Sequence, residues 1–124
     1  MWTYAAIGFL GALGCLARFA QTNLVHSLWG RGFPYATLGI NVVGSFLMGL
    51  LFFGTLHRLG FPPALRAGIL VGFLGGYTTF STFELETLLL AEAGESLRAI
   101  LYVVLSVALG FVAVLAGAWL ARSL

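Results

Sequence analysis

Apolar residues run almost continuously along the chain, interrupted at three places by short polar or glycine- and proline-bearing stretches. Strict alternation of apolar and polar positions, the mark of a membrane barrel strand, is absent. A helical membrane span takes ~20 mostly apolar residues. The runs therefore predict four spans. The first covers about residues 2–24, with Gly8, Gly11 and Gly14 spaced by three along one side. Such a strip lets a neighbouring backbone come close. A polar loop from His26 to Pro34 follows. The second span covers about residues 35–57 and carries Thr37, Asn41, Ser45 and Gly49 at intervals of four. That spacing puts one small, polar stripe on an otherwise apolar helix. The fourth covers about residues 99–121, with Tyr102, Ser106, Gly110 and Gly117 on a small-polar side.

The third span starts near Leu65 and breaks the pattern. Gly72, Gly75 and Gly76 weaken it at mid-membrane, and Tyr77-Thr78-Thr79-Phe80-Ser81-Thr82-Phe83 follows. A break at Gly75-Gly76 frees backbone carbonyls. In a bilayer these must be buried in protein, wetted or bound. Unwound segments of this kind hold Na⁺ in some transporters. The residues support a packing kink and a cation site equally.

Composition agrees with the spans. Of 124 residues, 60% are hydrophobic and 8% charged, against about 45–50% and about 25% in soluble domains. So little charge cannot cover a surface facing water. It excludes a soluble globular domain, a disordered chain and a nucleic-acid binder. Four spans also leave no room for a soluble catalytic domain. Met1-Trp2-Thr3-Tyr4 carries no basic residue, so the first span reads as a retained helix rather than a signal peptide. Cys15 stands alone and reads as a packing residue.

Four spans place Arg58, Arg66 and Arg122 on one side and Arg18, Arg31 and Arg98 on the other. Orientation normally follows an excess of Lys and Arg on the cytoplasmic side. A split of three against three predicts insertion in both orientations and an antiparallel homodimer. A weak bias outside the loop charges is the competing reading.

Candidate chemistry gathers around the third span. Phe80 and Phe83 lie on one helical face. By themselves they read as core or lipid contacts. Thr79, Ser81, Thr82 and Glu86 surround them. Ring edges are electropositive, and Asn41 brings amide donors, so the set suits an anion without any fixed cation. Glu86 is either a functional intramembrane acid or an interfacial one. No metal-ligand spacing, Ser-His-acid set or nucleotide loop is present.

Three stretches resemble the Fluc (CrcB) family of fluoride channels. Gly11-Ala12-Leu13-Gly14-Cys15-Leu16-Ala17-Arg18 is similar to its first-helix pattern. Thr37-Leu38-Gly39-Ile40-Asn41-Val42-Val43-Gly44-Ser45-Phe46 is similar to its second. Gly72-Phe73-Leu74-Gly75-Gly76-Tyr77-Thr78-Thr79-Phe80-Ser81-Thr82-Phe83 is similar to its third. The resemblance spans nearly the whole chain. It implies a passive fluoride-selective channel, not an enzyme, in the inner or plasma membrane, exporting fluoride from the cytoplasm. It further implies an antiparallel homodimer with two pores and a central structural Na⁺. Asn41, Phe80 and Phe83 would line the fluoride path, and the carbonyls of Gly75 and Thr78 would hold the Na⁺. Thr37, Ser81, Thr82, Glu86, Tyr102 and Ser106 match its polar pore track, and Arg18 its vestibule arginine. Ala36, Ile40 and Tyr77 depart from the family pattern without touching a named ligand.

The main rival is a small dual-topology, proton-coupled drug exporter. It would need a membrane-embedded acid, commonly in the first helix, and that span has none. A packing or regulatory subunit is the third reading. Neither accounts for Gly-Gly followed by Thr-Thr-Phe-Ser-Thr-Phe.

Overall fold

A computed structural model describes residues 1–124, all of them in helices and short connections. Helix α1 runs Trp2–Trp29 and α2 Tyr35–His57. Helix α3 covers 63–77 and contains a π-helical stretch, Gly68–Phe73. Helix α4 runs Phe80–Glu92 and α5 Ser96–Ser123. By length and composition α1, α2 and α5 are each able to cross a membrane. The fourth crossing is the α3–α4 pair, whose two halves together rise roughly 40 Å, enough for a hydrocarbon core of about 30 Å. The chain is thus an all-α, multi-pass membrane protein.

Helix α1 is longer than its apolar run predicts. Gln21, Asn23 and His26 continue it past residue 24, because nothing breaks a helix before Gly30, where φ is +74°. Arg18 stands about 16 Å before the helix end, and its Nε reaches the Gly76 carbonyl oxygen of α3. At the ends of the bundle the arginines divide as Arg58, Arg66 and Arg122 against Arg31 and Arg98.

Two helix pairs build the molecule, and both use glycine to bring backbones together. In the α1–α3 pair, a Cβ at Gly72 would lie 2.6 Å from the Ile7 carbonyl oxygen, and one at Gly76 would lie 2.6 Å from that of Gly11. In the α2–α5 pair, Gly49 meets the Val114 carbonyl and Gly117 meets that of Phe46. Lipid tails are as apolar as Leu, so close van der Waals packing drives such contacts in place of water exclusion. The fully buried side chains are few, chiefly Ile40, Leu74 and Tyr102.

The break falls later than the glycines suggest. Gly75 and Gly76 are still helical. The extended residues are Thr78 (φ −84°, ψ 160°) and Thr79 (φ −153°, ψ 119°). Two hydroxyls make this possible. Thr78 Oγ1 donates to the Leu74 carbonyl oxygen at 2.8 Å and closes α3. Thr79 Oγ1 accepts from Thr82 N at 3.2 Å and opens α4 as its N-cap. Gly76 serves the contact with α1, and Gly75 faces open space.

Candidate permeation site

The small-polar stripe of α2 divides its work along the helix. Gly49 packs against α5, Ser45 lies near Gly110, Asn41 meets the break and Thr37 is buried near Tyr102. Asn41 acts on the break itself. Its Oδ1 accepts from Thr79 N at 2.9 Å, and its Nδ2 donates to the Thr79 carbonyl oxygen at 3.0 Å. One amide side chain therefore satisfies both backbone groups of the most extended residue, where the bilayer supplies no water to do so.

This clamp diverts hydrogen bonds. In an unbroken helix Thr79 N would serve the Gly75 carbonyl, and Thr82 N the Thr78 carbonyl. Here the first goes to Asn41 and the second to the Thr79 hydroxyl. The carbonyls of Gly75 and Thr78 thus lose the donors a helix would give them. Arg18 Nε donates to a third carbonyl of this turn, that of Gly76, at 3.1 Å.

Beside the clamp lies an open cleft of about 490 Å³ between α2, the break, α4 and α5. Asn41, Phe80, Phe83 and Ser106 all line it, so the structure brings these sequence candidates together. Ser45, Met48 and Gly110 line it as well. No lining residue is charged. Ser106 Oγ is buried and has no hydrogen-bond partner. Phe80 is 70% exposed, so this wall lacks a cover within one chain.

Thr37, Glu86 and Tyr102 form a second group. Tyr102 OH donates to Glu86 Oε1 at 3.0 Å. The Phe83 ring joins the two groups. It stands edge-on to Tyr102 at 5.0 Å between centroids and lies 5.7 Å from Phe80. Thr82 accepts through Oγ1 from the Thr79 hydroxyl at 3.0 Å. Ser81 sits on the exposed side of α4. Arg18 and Gly75 lie away from the cleft lining, on the α1 side and the outer face of α3.

The sequence reading left Ser45 out of the site. Its four-residue spacing from Asn41 was the available signal. It also missed the Tyr77–Gln21 hydrogen bond, in which the tyrosine hydroxyl ties the end of α3 to α1. The side-chain partner of a bulky residue on another helix has no local sequence mark.

A small multi-pass bundle, with one span split around a side-chain clamp and a neutral polar cleft beside the split, defines a membrane protein built around an intramembrane site. The chain belongs to the CrcB family: the family model described as CrcB-like protein, Camphor Resistance (CrcB), matches residues 5–118. It is 54% identical to a protein of Acidithiobacillus ferrooxidans named fluoride-specific ion channel FluC, over 98% of this chain and 97% of that protein. A Geobacter sulfurreducens protein of the same name is 48% identical over the full length of both. One from Geobacter metallireducens is 51% identical over 86% of each.

Proposed function

We propose that this protein is a passive, fluoride-selective anion channel of a bacterial inner membrane, and not an enzyme. The relatives' names support the substrate. The observation that carries the reading is the uncharged cleft in which Asn41, Ser106, Phe80 and Phe83 converge. Fluoride is small and strongly hydrated, so a conduit must replace its water donors closely. Hydroxyls and the remaining Asn41 N–H do this without a fixed positive charge. Sites that bind too strongly would not release the ion. The edges of Phe80 and Phe83 add weak positive potential. The Tyr102–Glu86 pair, with Thr37, Ser81 and Thr82, continues the track. An inside-negative membrane favours anion exit by about 2.3 kcal/mol per 100 mV.

The finer assembly belongs to the same proposal. Two chains pair antiparallel, and each covers the open cleft of the other to give two pores. The exposure of Phe80 and the bare outer face at Gly75 support a second copy there. The arginine split of three to two at the bundle ends keeps orientation bias small. The Gly75 and Thr78 carbonyls, deprived of helical donors, suit a hard cation such as Na⁺, which takes oxygen ligands. A Na⁺ there would supply charge to hold the two breaks together. Arg18, bonded to the Gly76 carbonyl, lends positive potential near the path.

The test is fluoride efflux from liposomes containing the purified protein, with chloride as control. Fast fluoride and far slower chloride release is expected, and Phe80→Ile should slow fluoride greatly. Absence of fluoride release at adequate protein density would refute the channel. Release that requires a proton gradient would favour the exporter, for which Glu86 is the available acid.

A further inference from the structure

The connection between α1 and α2, Gly30 to Pro34, turns inward. Loops usually run over the surface. Here Pro34 is buried and Phe33 half-buried, while Arg31 and Gly32 stay exposed. Hydrogen bonds hold the loop in that shape. Gly30 N donates to the His26 carbonyl oxygen at 2.9 Å, and Tyr35 N to that of Phe33 at 2.8 Å. From α5, Arg98 Nη1 donates to the Gly32 carbonyl oxygen at 3.2 Å. The Tyr35 ring lies 5.0 Å from that of Phe33, and Trp29 stands edge-on to Tyr35 at 6.0 Å.

The loop thereby brings one ring against Tyr102. Phe33 stands edge-on to it at 5.6 Å between centroids, with 76° between the planes. Phe83 meets the same tyrosine from α4, at 5.0 Å and 74°. Both pairs have the geometry that aromatic quadrupoles favour. Tyr102 is fully buried, and its hydroxyl donates to Glu86 Oε1 at 3.0 Å. A ring flip leaves a tyrosine hydroxyl in place, because the hydroxyl lies on the flip axis. A change of χ1 carries it away, and a helical tyrosine has two common χ1 wells. Rings from two separate elements hold Tyr102 in the well that reaches Glu86. Phe83 also lines the cleft, whereas Phe33 does not. Phe33 can therefore influence the track only through Tyr102.

We propose that Phe33 is a positioning residue of the permeation track, whose ring keeps the Tyr102 hydroxyl on Glu86. This rests on the reading of the Tyr102–Glu86 pair as part of the track. The α1–α2 loop then sets the conducting geometry from outside the cleft, without touching the ion.

Fluoride efflux from liposomes containing the full chain tests it, with chloride as control. Phe33→Leu keeps much of the bulk but removes the ring, and should slow fluoride release about fivefold. Phe33→Tyr keeps an edge-on ring and should keep most of the rate. Tyr102→Phe removes the hydroxyl and should slow release at least as much as Phe33→Leu does. In a Tyr102→Phe background, Phe33→Leu should change nothing further, since the group it positions is gone. Equal slowing by Phe33→Leu in both backgrounds would overturn the proposal, by showing that the ring only holds the bundle together. A wild-type rate in Phe33→Leu, or in Tyr102→Phe, would overturn it and leave the channel standing. Absence of release from the wild-type chain would refute the channel, and this proposal with it. If Phe33→Leu gives no single gel-filtration peak, Phe33→Met, an unbranched filler of the same space, replaces it in every arm.

Discussion

Asn41 gives the sharpest test, because it has two separable roles. As a clamp it makes two hydrogen bonds to the Thr79 backbone, at 2.9 and 3.0 Å. As a pore residue it offers a donor to the cleft. Asn41→Ala removes both bonds and leaves an N–H and a carbonyl without partners. Side-chain hydrogen bonds between membrane helices average ~0.6 kcal/mol, which sets a lower bound of about 1 kcal/mol for the pair. Leaving both backbone groups dry would cost about 2–6 kcal/mol. We expect a loss of about 2 kcal/mol, since partial wetting from the open cleft offsets some of the cost. Asn41→Asp keeps an acceptor for Thr79 N and sets its other oxygen against the Thr79 carbonyl. It should also destabilise the protein, while Asn41→Leu should match or exceed the alanine variant. The assay is reversible unfolding in dodecyl maltoside titrated with sodium dodecyl sulfate, read beside fluoride efflux. Unchanged stability of Asn41→Ala, within about 0.5 kcal/mol, together with slowed efflux would refute the clamp and leave Asn41 a pore donor only.

Other consequences follow from the same geometry. Thr79→Ala should lose about 0.5–2 kcal/mol as the α4 cap disappears, and Thr79→Ser should restore most of it, both read by the same unfolding titration. Gly117→Leu should prevent folding, because a Cβ there would already lie 2.8 Å from Leu50 N; gel filtration in detergent would show aggregate in place of a single peak, and a normal peak would contradict the α2–α5 packing. A single cysteine introduced at Leu59, in a Cys15→Ser background, should react with impermeant maleimide from both membrane faces if both orientations insert. Labelling from one face alone would exclude random dual insertion.

Much of the fold could be read along the chain. Four apolar runs and too little charge for a water-facing surface require membrane helices, since only internal hydrogen bonding satisfies a backbone in lipid. The small-polar stripe on α2 and the hydroxyl-rich run after Gly76 marked the regions that meet at the site. The sequence also marked a defect in the third span but misplaced it. Glycine lowers helix propensity wherever it stands. Whether a given glycine breaks a helix or admits a neighbour depends on what lies across from it.

Gly76 shows the difference, because the α1 backbone lies opposite it and the helix continues. The break falls at two threonines with no low helix propensity beyond that of other β-branched residues. They become extended because Asn41, 38 positions earlier, supplies both bonds that the helix gives up. Arg18 is a second case. The charge count grouped it with Arg31 and Arg98 at one end of the spans, and only the packing of α1 on α3 brings it to the Gly76 carbonyl. The sequence by itself determined the solvent, the span count and the neutral chemistry of the site, because composition and periodicity decide which surfaces lipid accepts. The tertiary structure alone decided where the helix opens and which carbonyls lose their donors, because those choices depend on hydrogen-bond partners from helices distant in sequence.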